Sequence, residues 1–137
     1  MDSILEQPVR ARLITADDGE LPVPATLRYS RTDPLAVRLA FPPEVCLGGA
    51  AVVWTLARAL LEQGLRGPAG AGDVRIRPGG PDRTVVELHS SAGLALLRFD
   101  TAELNSFLLR TYGVVPDGEE DVAEAIDRGL HALFGTV

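Results

Sequence analysis

The chain is poor in the residue types that most catalytic and metal sites need. Its 137 residues include no lysine, one cysteine and two histidines. Without lysine there can be no Walker A phosphate loop and no Schiff-base chemistry on a lysine. A single cysteine, Cys46, excludes an intramolecular disulfide and every zinc site built from several cysteines. The composition therefore gives no positive support to catalysis, and we expect neither a metal nor a cofactor.

Aromatic residues are also scarce, at 5% of the chain. This scarcity argues against a surface that stacks nucleic-acid bases. Trp54 lies in an apolar segment and is predicted to anchor the core or a subunit interface. Neither His89 nor His131 has a histidine or cysteine neighbour at a spacing typical of zinc ligands.

Long apolar runs are missing as well. The most apolar stretch, residues 48–57, ends at Arg58 and is much shorter than a membrane span. The first residues have neither the basic region nor the apolar region of a signal peptide. We therefore expect a cytoplasmic protein.

The charge is unevenly distributed. All 13 basic residues are arginines, and the formal net charge is −6. Residues 117–137 hold six acidic residues and one arginine, whereas residues 1–116 are nearly neutral. Duplex-binding proteins usually carry an excess of basic charge, because phosphate neutralisation drives their affinity. The charge distribution thus argues against nucleic acid as a partner.

The hydropathy pattern predicts strands over 1–55 and 67–99, because apolar and polar residues alternate there. Residues 56–64 between them are rich in helix formers, and Gly64 suits the left-handed position that ends a helix. The glycines at 67–72 follow a helix and precede a strand. This order is opposite to that of phosphate-binding loops, so a turn is the better interpretation.

Two helices are predicted over 100–134. Asp100 can cap the first, with Glu103 at the capping-box position. Asp117 can cap the second, whose inner stripe consists of Val122, Ile126, Leu130 and Leu133. The order of strands, helix, strands and helices predicts one α+β domain over residues 1–137, with antiparallel sheets.

Two surfaces are candidates for binding a partner. Several arginines fall on the outward phase of the predicted strands: Arg10, Arg12, Arg28, Arg38, Arg75 and Arg77. They form either a solvated sheet face or an arginine surface whose forked guanidinium groups hold the carboxylates of an acidic partner. The second candidate is the turn and acidic entry of the last helix, which consists of Gly118, Glu119, Glu120 and Asp121.

Short segments distributed along the chain carry a family resemblance. They include Leu21-Pro-Val-Pro24, Leu27-Arg-Tyr29, Asp33-Pro34, Trp54, Ala57-Arg58, Gly64-Leu65, Gly72-Asp-Val-Arg75 and Ser106-Phe-Leu108. In combination, and over about residues 13–111, the chain resembles the SsgA-like proteins of actinomycetes. It looks most similar to their SsgB-like branch.

The resemblance implies a function that composition alone does not reveal. It implies a non-enzymatic protein of sporulation-type cell division that recruits the tubulin-like ring protein FtsZ to the septum. It also implies a trimer with a Whirly-like architecture, in which two antiparallel β-sheets pack with helices. We therefore expect a cell-division adaptor that acts through protein contacts. The alternative is a single-stranded nucleic-acid-binding regulator built on the Whirly-like fold.

Overall fold

The computed structural model describes residues 4–46 and 48–120. Seven strands in this part of the chain form one antiparallel sheet, in the order β4-β3-β2-β1-β7-β6-β5. The strands are β1 (Ile4–Ile14), β2 (Glu20–Ser30), β3 (Ala36–Phe41), β4 (Val52–Ala57), β5 (Val74–Pro78), β6 (Arg83–Ser90) and β7 (Gly93–Asp100). The helices are α1 (Arg58–Arg66) and α2 (Thr101–Val114).

The period-two pattern correctly predicts which side chains enter the core. Val9 and Ala11 are buried on β1 while Arg10 and Arg12 are exposed, because successive side chains of a strand point to opposite faces. The same alternation buries Leu27 and Tyr29 around Arg28 on β2. On β3 the alternation is broken, because Ala36 and Ala40 are buried along with the odd-numbered residues and only Arg38 is not. The burial of one face also sets the register of the strands, since a slip of one residue would expose the entire apolar set.

The expectation of two packed sheets is wrong for the described strands. The central strand β1 pairs with β2 along its whole length and with β7 at Ala11–Leu13, so it joins both halves into one sheet. Trp54 of β4 and Leu94 of β7 nevertheless line the same groove, although three strands lie between theirs. The single sheet is therefore curled, and its concave face holds the core.

The prediction that Gly64 ends α1 is also wrong. The helix starts at Arg58 and continues through Gly64 to Arg66, and the residue after it, Gly67, has an extended backbone with φ −173°. Gly64 is buried, and a Cβ atom at this position would clash with Cβ and Cγ2 of Ile76 on β5. Glycine is needed here because the helix packs closely on the strand, not because the backbone turns.

Helix α2 begins at the predicted place but without the predicted capping box. Asp100 occupies the N-cap position, yet its side chain makes no capping hydrogen bond and instead pairs with Arg83 at 2.9 Å. The carboxylate of Glu103 accepts a hydrogen bond from the backbone N–H of Arg10 at 3.3 Å. The inner face of the helix consists of Leu104, Phe107 and Leu108, which are buried against the sheet.

The turn at 67–72 closes the β5 edge of the sheet. Ala69 forms a two-way backbone bridge with Ile76, with N···O distances of 2.8 and 3.0 Å. Gly70 makes the bridge possible with a φ of +97°, and a Cβ there would lie 2.6 Å from the carbonyl oxygen of Val74. The interpretation of these glycines as a turn is confirmed.

The last predicted helix and its stripe of Val122, Ile126, Leu130 and Leu133 lie outside the described residues. Within the described ranges, neither helix has the length and apolar character needed to cross a membrane.

Candidate functional site

The strand register brings the predicted arginines onto one face of the sheet, opposite the core. Arg28 and Arg38 are directly cross-strand neighbours, and Arg10 and Arg12 share their face on β1. Arg98 on β7, which the sequence analysis did not single out, lies opposite Arg12 and extends the row towards β6 and β5. Arg75 and Arg77 complete the face on β5. We call this surface the arginine face.

Most guanidinium groups of the arginine face already contact a carboxylate of the same chain. The pairs are Arg28 with Glu6 (3.7 Å), Arg38 with Asp33 (2.7 Å), Arg12 with Glu20 (4.0 Å), Arg98 with Glu20, and Arg77 with Glu87. Pairs this exposed add little to stability. Their functional effect is larger, because they turn a row of positive charges into a surface of mixed charge.

Two members of the arginine face differ from the rest. Among the residues that the structure describes, no carboxylate lies within ion-pair distance of the guanidinium of Arg10 or of Arg75. Arg75 donates instead from Nε to the carbonyl oxygen of Gly72 at 3.2 Å. These two side chains are the members of the face best placed to hold a carboxylate of another molecule.

A buried arginine that the sequence analysis missed lies at the first residue of α1. Arg58 is only 3% exposed. Its Nη1 donates to the carbonyl oxygens of Thr111 (3.2 Å) and Val115 (2.7 Å), and its Nη2 donates to Glu120 Oε1 (2.8 Å). Arg58 therefore ties the start of α1 to the C-terminal end of α2 and to the turn that follows.

Two aromatic rings pack against the same guanidinium group. Its central carbon lies 5.1 Å from the ring centre of Tyr29 and 4.5 Å from that of Tyr112. Burial raises the pKa of both phenols, and a hydrogen bond to Glu62 (2.7 Å) raises the pKa of Tyr112 further. A signal was present in the sequence, because a cation in the first turn of a helix opposes the helix dipole unless carboxylates or carbonyls compensate it.

The second candidate surface is partly engaged within the chain. Gly118 has a φ of +86°, and its N–H donates to Glu120 Oε1 at 2.7 Å. Because Glu120 also accepts from Arg58, its carboxylate holds the turn together and is not free for a partner. Gly118 and Glu119 are exposed, whereas Asp121 lies outside the described residues.

Two open grooves flank the edge strand β4. The inner groove, on the concave face, has a volume of about 430 Å³ and is lined by apolar side chains that include Val52 and Trp54. The outer groove, on the arginine face, has a volume of about 610 Å³. It is lined by Ala51, Val53, Pro42, Arg10 and Arg28, among others.

The polar side chains of the described residues do not form a metal-binding cluster. No group of three or more histidine, cysteine, aspartate or glutamate side chains converges within residues 4–46 and 48–120. His89 contacts Glu87 at 3.1 Å, and Cys46 Sγ donates to the carbonyl oxygen of Pro42 at 3.2 Å. Trp54 packs against the core and is half-buried, as expected for an anchor.

Comparisons with known proteins agree on one family. The family model described as "Streptomyces sporulation and cell division protein, SsgA" matches residues 23–120. The sporulation-specific cell division protein SsgB of Salinispora tropica is 44% identical over 126 residues, covering 87% of this chain and 87% of that protein. SsgB of Streptomyces coelicolor is 40% identical over 139 residues, covering 98% of both.

Solved structures agree with the sequence relatives. An SsgA-like sporulation-specific cell division protein from Thermobifida fusca superposes with a TM-score of 0.84 at 34% sequence identity. The match covers 96% of each chain. The sheet and the two helices described above therefore reproduce the architecture of solved SsgA-like proteins.

Proposed function

Because the chain belongs to the SsgA family of sporulation and cell division proteins, we propose that it is a non-enzymatic adaptor that helps to place the FtsZ ring at the septum. The observation that carries this proposal is identity of about 40% to SsgB proteins over nearly the whole chain. The protein would act through protein contacts, in the cytoplasm, at the site of division. The trimer implied by the family resemblance belongs to the same proposal.

The geometry of the arginine face supports a docking role for particular residues. FtsZ-type proteins end in a short recognition tail, and a short peptide docks on a surface that offers pockets and fixed polar groups. Arg10 and Arg75 can offer guanidinium groups that the described residues leave without a carboxylate. Arg12, Arg38 and Arg77 would need to exchange an internal carboxylate for one of the partner. We therefore assign the largest contributions to Arg10 and Arg75.

The alternative of a single-stranded nucleic-acid-binding regulator on a Whirly-like fold gains nothing from the same surface. A nucleic-acid groove needs uncompensated positive charge, and five arginines of the face are paired with carboxylates. Binding of labelled single-stranded DNA distinguishes this alternative from the adaptor function in the experiment below.

The proposal is tested by capturing purified FtsZ, or labelled single-stranded DNA, on the immobilised protein at low and at physiological salt. We expect FtsZ to be retained and DNA not. Charge reversal by the pairs Arg10→Glu with Arg75→Glu, and Arg75→Glu with Arg77→Glu, should weaken FtsZ retention. The matched control is Arg66→Glu, because Arg66 is on α1 and its side chain is 80% exposed. Retention unaffected by both double reversals would reject the arginine face.

The turn at 118–121 is tested in the same assay. Glu119→Ala removes an acidic group that makes no described contact with Arg58, and Asp121→Ala removes the acid two positions further along the sequence. Gly118→Ala changes the turn itself. Glu120→Gln is the comparison, since its carboxylate is occupied within the chain. If the turn binds FtsZ, Glu119→Ala and Asp121→Ala lose retention while they keep the unfolding free energy of the unmodified protein. Gly118→Ala should lose retention and some stability together, because a side chain is strained at a φ of +86°.

A further inference from the structure

The two edge strands of the sheet differ in how well they are protected from pairing with another chain. The β5 edge is closed by the backbone bridge from Ala69 to Ile76, and its sequence contains Arg75, Arg77 and Pro78. Charged residues and proline on an edge discourage pairing with another chain. The β4 edge has the sequence Val-Val-Trp-Thr-Leu-Ala, without charge or proline, and no described strand pairs with its outer side.

The register shows which backbone groups of β4 face outward. The N–H of Arg58 donates to the carbonyl oxygen of Leu35 at 2.8 Å, in the same register that pairs β4 with β3. In an antiparallel ladder, hydrogen-bonded and non-hydrogen-bonded pairs alternate. Val52, Trp54 and Leu56 therefore bond to β3. The N–H and C=O groups of Val53 and Thr55 point away from the sheet, and both residues are exposed.

The side chains of β4 line different grooves on its two sides. Val52 and Trp54 belong to the inner groove, and Ala51 and Val53 belong to the outer groove. A strand added to this edge would send alternate side chains into the two grooves, because successive residues of a strand point to opposite faces. Main-chain hydrogen bonds then give affinity, and the grooves select the sequence.

The chemistry of the grooves specifies the occupant. The inner groove is apolar and accepts apolar side chains. The outer groove contains Arg28, which pairs with Glu6, and Glu103, whose carboxylate accepts from the backbone N–H of Arg10. It also contains the guanidinium group of Arg10, which has no carboxylate within ion-pair distance among the described residues, so Arg10 is the side chain that would hold an acidic group of the occupant. A second copy of β4 would bring no carboxylate to these arginines, because none of its six residues is acidic.

We propose that the β4 edge binds an extended peptide segment of a partner protein, added antiparallel to β4, with apolar residues facing the inner groove and acidic residues facing the outer groove. This site differs from the surfaces considered for FtsZ above in using the backbone of Val53 and Thr55, which no described strand pairs with on the outer side. It follows from the sheet geometry and does not depend on the identity of the division protein.

The test uses a short fluorescent peptide of alternating glutamate and valine, with binding followed by fluorescence anisotropy. In the proposed arrangement each glutamate lies directly opposite Val53 or Thr55 and shares the face of that residue. These opposite residues form the hydrogen-bonded pairs of the ladder, so the N–H groups of the glutamates donate to β4 and those of the valines point away. Methylation of the glutamate backbone nitrogens should abolish binding, and methylation of the valine nitrogens should leave it intact. No binding of the unmodified peptide, or the inverse effect of methylation, would overturn the proposal.

A matched pair of protein variants tests the contribution of the β4 backbone to peptide binding. Val53→Pro removes an N–H that points to solvent and leaves the bonds to β3 in place, a substitution that edge strands tolerate. We expect it to weaken peptide binding by about tenfold or more, while Val53→Ala, which keeps the N–H, has a much smaller effect. Arg10→Glu should also weaken binding.

The competing occupant has a distinct outcome. If the edge serves to join copies of this chain, sedimentation will show a concentration-dependent assembly that Val53→Pro dissociates, and the peptide will not bind. That result would overturn the peptide site. Because the assay contains no FtsZ, its failure can be told apart from a failure of the proposed division function.

Discussion

At the scale of single residues, Arg58 carries a charge almost out of contact with water. Burying a charge is costly unless it is paired and hydrogen-bonded. Here two carbonyl oxygens, the Glu120 carboxylate and two tyrosine rings compensate the guanidinium. Loss of the side chain would remove these three hydrogen bonds inside the protein and leave the Glu120 carboxylate without its cation, so its removal should be far more damaging than the removal of a surface arginine.

We expect Arg58→Ala to lower the free energy of unfolding by about 3–5 kcal/mol, the range typical of breaking a buried ion pair. Arg66 is the matched control on the same helix, because its contact to Glu62 is an exposed i,i+4 pair. Arg66→Ala should cost about 0.5 kcal/mol or less. Urea unfolding of the two variants measures the difference. Equal effects would mean that the buried cluster does not stabilise the fold.

Gly64 gives a second prediction at this scale. Alanine favours a helix over glycine by about 1 kcal/mol, but a methyl group at this site would overlap Ile76. Because forced overpacking costs about 1–3 kcal/mol, Gly64→Ala should be neutral to destabilising. Gly113 lies in α2 with open space around its Cβ position, so Gly113→Ala should be stabilising. If both variants are stabilised equally, α1 does not pack on β5 as closely as described.

The residue scale also shows the limit of sequence reasoning. Alternation correctly placed Arg12 and Arg38 outward, because the period of a strand leaves only two phases. It could not predict their partners. The acid that Arg12 shares with Arg98, Glu20, lies 78 residues from Arg98, so the pairing exists only after β1 joins β2 and β7.

At the scale of elements, α1 and α2 are tied by Tyr112 as well as by Arg58. The phenol of Tyr112 donates to Glu62 Oε2 across the two helices. Burial and this hydrogen bond raise its pKa above the ordinary value of 10.0. The phenol thus keeps its proton in the folded state at a pH where the unfolded chain releases it.

This linkage makes a prediction for alkaline pH. Above pH 10 the unfolded state binds fewer protons than the folded state, so the free energy of unfolding falls as the pH rises. The stabilisation is fully present below that pH. Tyr112→Phe removes the titrating group and should flatten the fall, at a cost of about 1 kcal/mol for the lost hydrogen bond at neutral pH. Urea unfolding between neutral and alkaline pH checks both effects. If the free energy of unfolding of Tyr112→Phe falls with pH as steeply as that of the unmodified protein, the prediction is contradicted.

The helices and strands were easier to predict than the residues at their ends and the pairing between strands. The strands and both described helices follow from periodicity and composition. The end of α1 and the capping of α2 did not follow, because Gly64 packs on a strand and Asp100 pairs with Arg83. The single sheet also escaped prediction, since the pairing of β1 with β7 joins residues almost ninety positions apart.

At the scale of the whole molecule, the near-neutral body and the acidic C-terminal part fit a protein that works through other proteins. The described residues carry no cluster suited to metal binding. They carry instead the arginine face, the edge strand β4, whose outer side no described strand pairs with, and two grooves. Only the family resemblance connected these surfaces to cell division, because nothing in composition or periodicity indicates a process.

The most direct measurement is co-sedimentation of the purified protein with FtsZ that has been assembled into filaments with GTP. We expect the protein to pellet with the filaments and to remain in the supernatant when GTP is omitted. The double variant with Arg10→Glu and Arg75→Glu should pellet much less, while Arg66→Glu should pellet like the unmodified chain. A protein that stays in the supernatant with or without filaments, across a wide range of concentrations, would contradict the adaptor function.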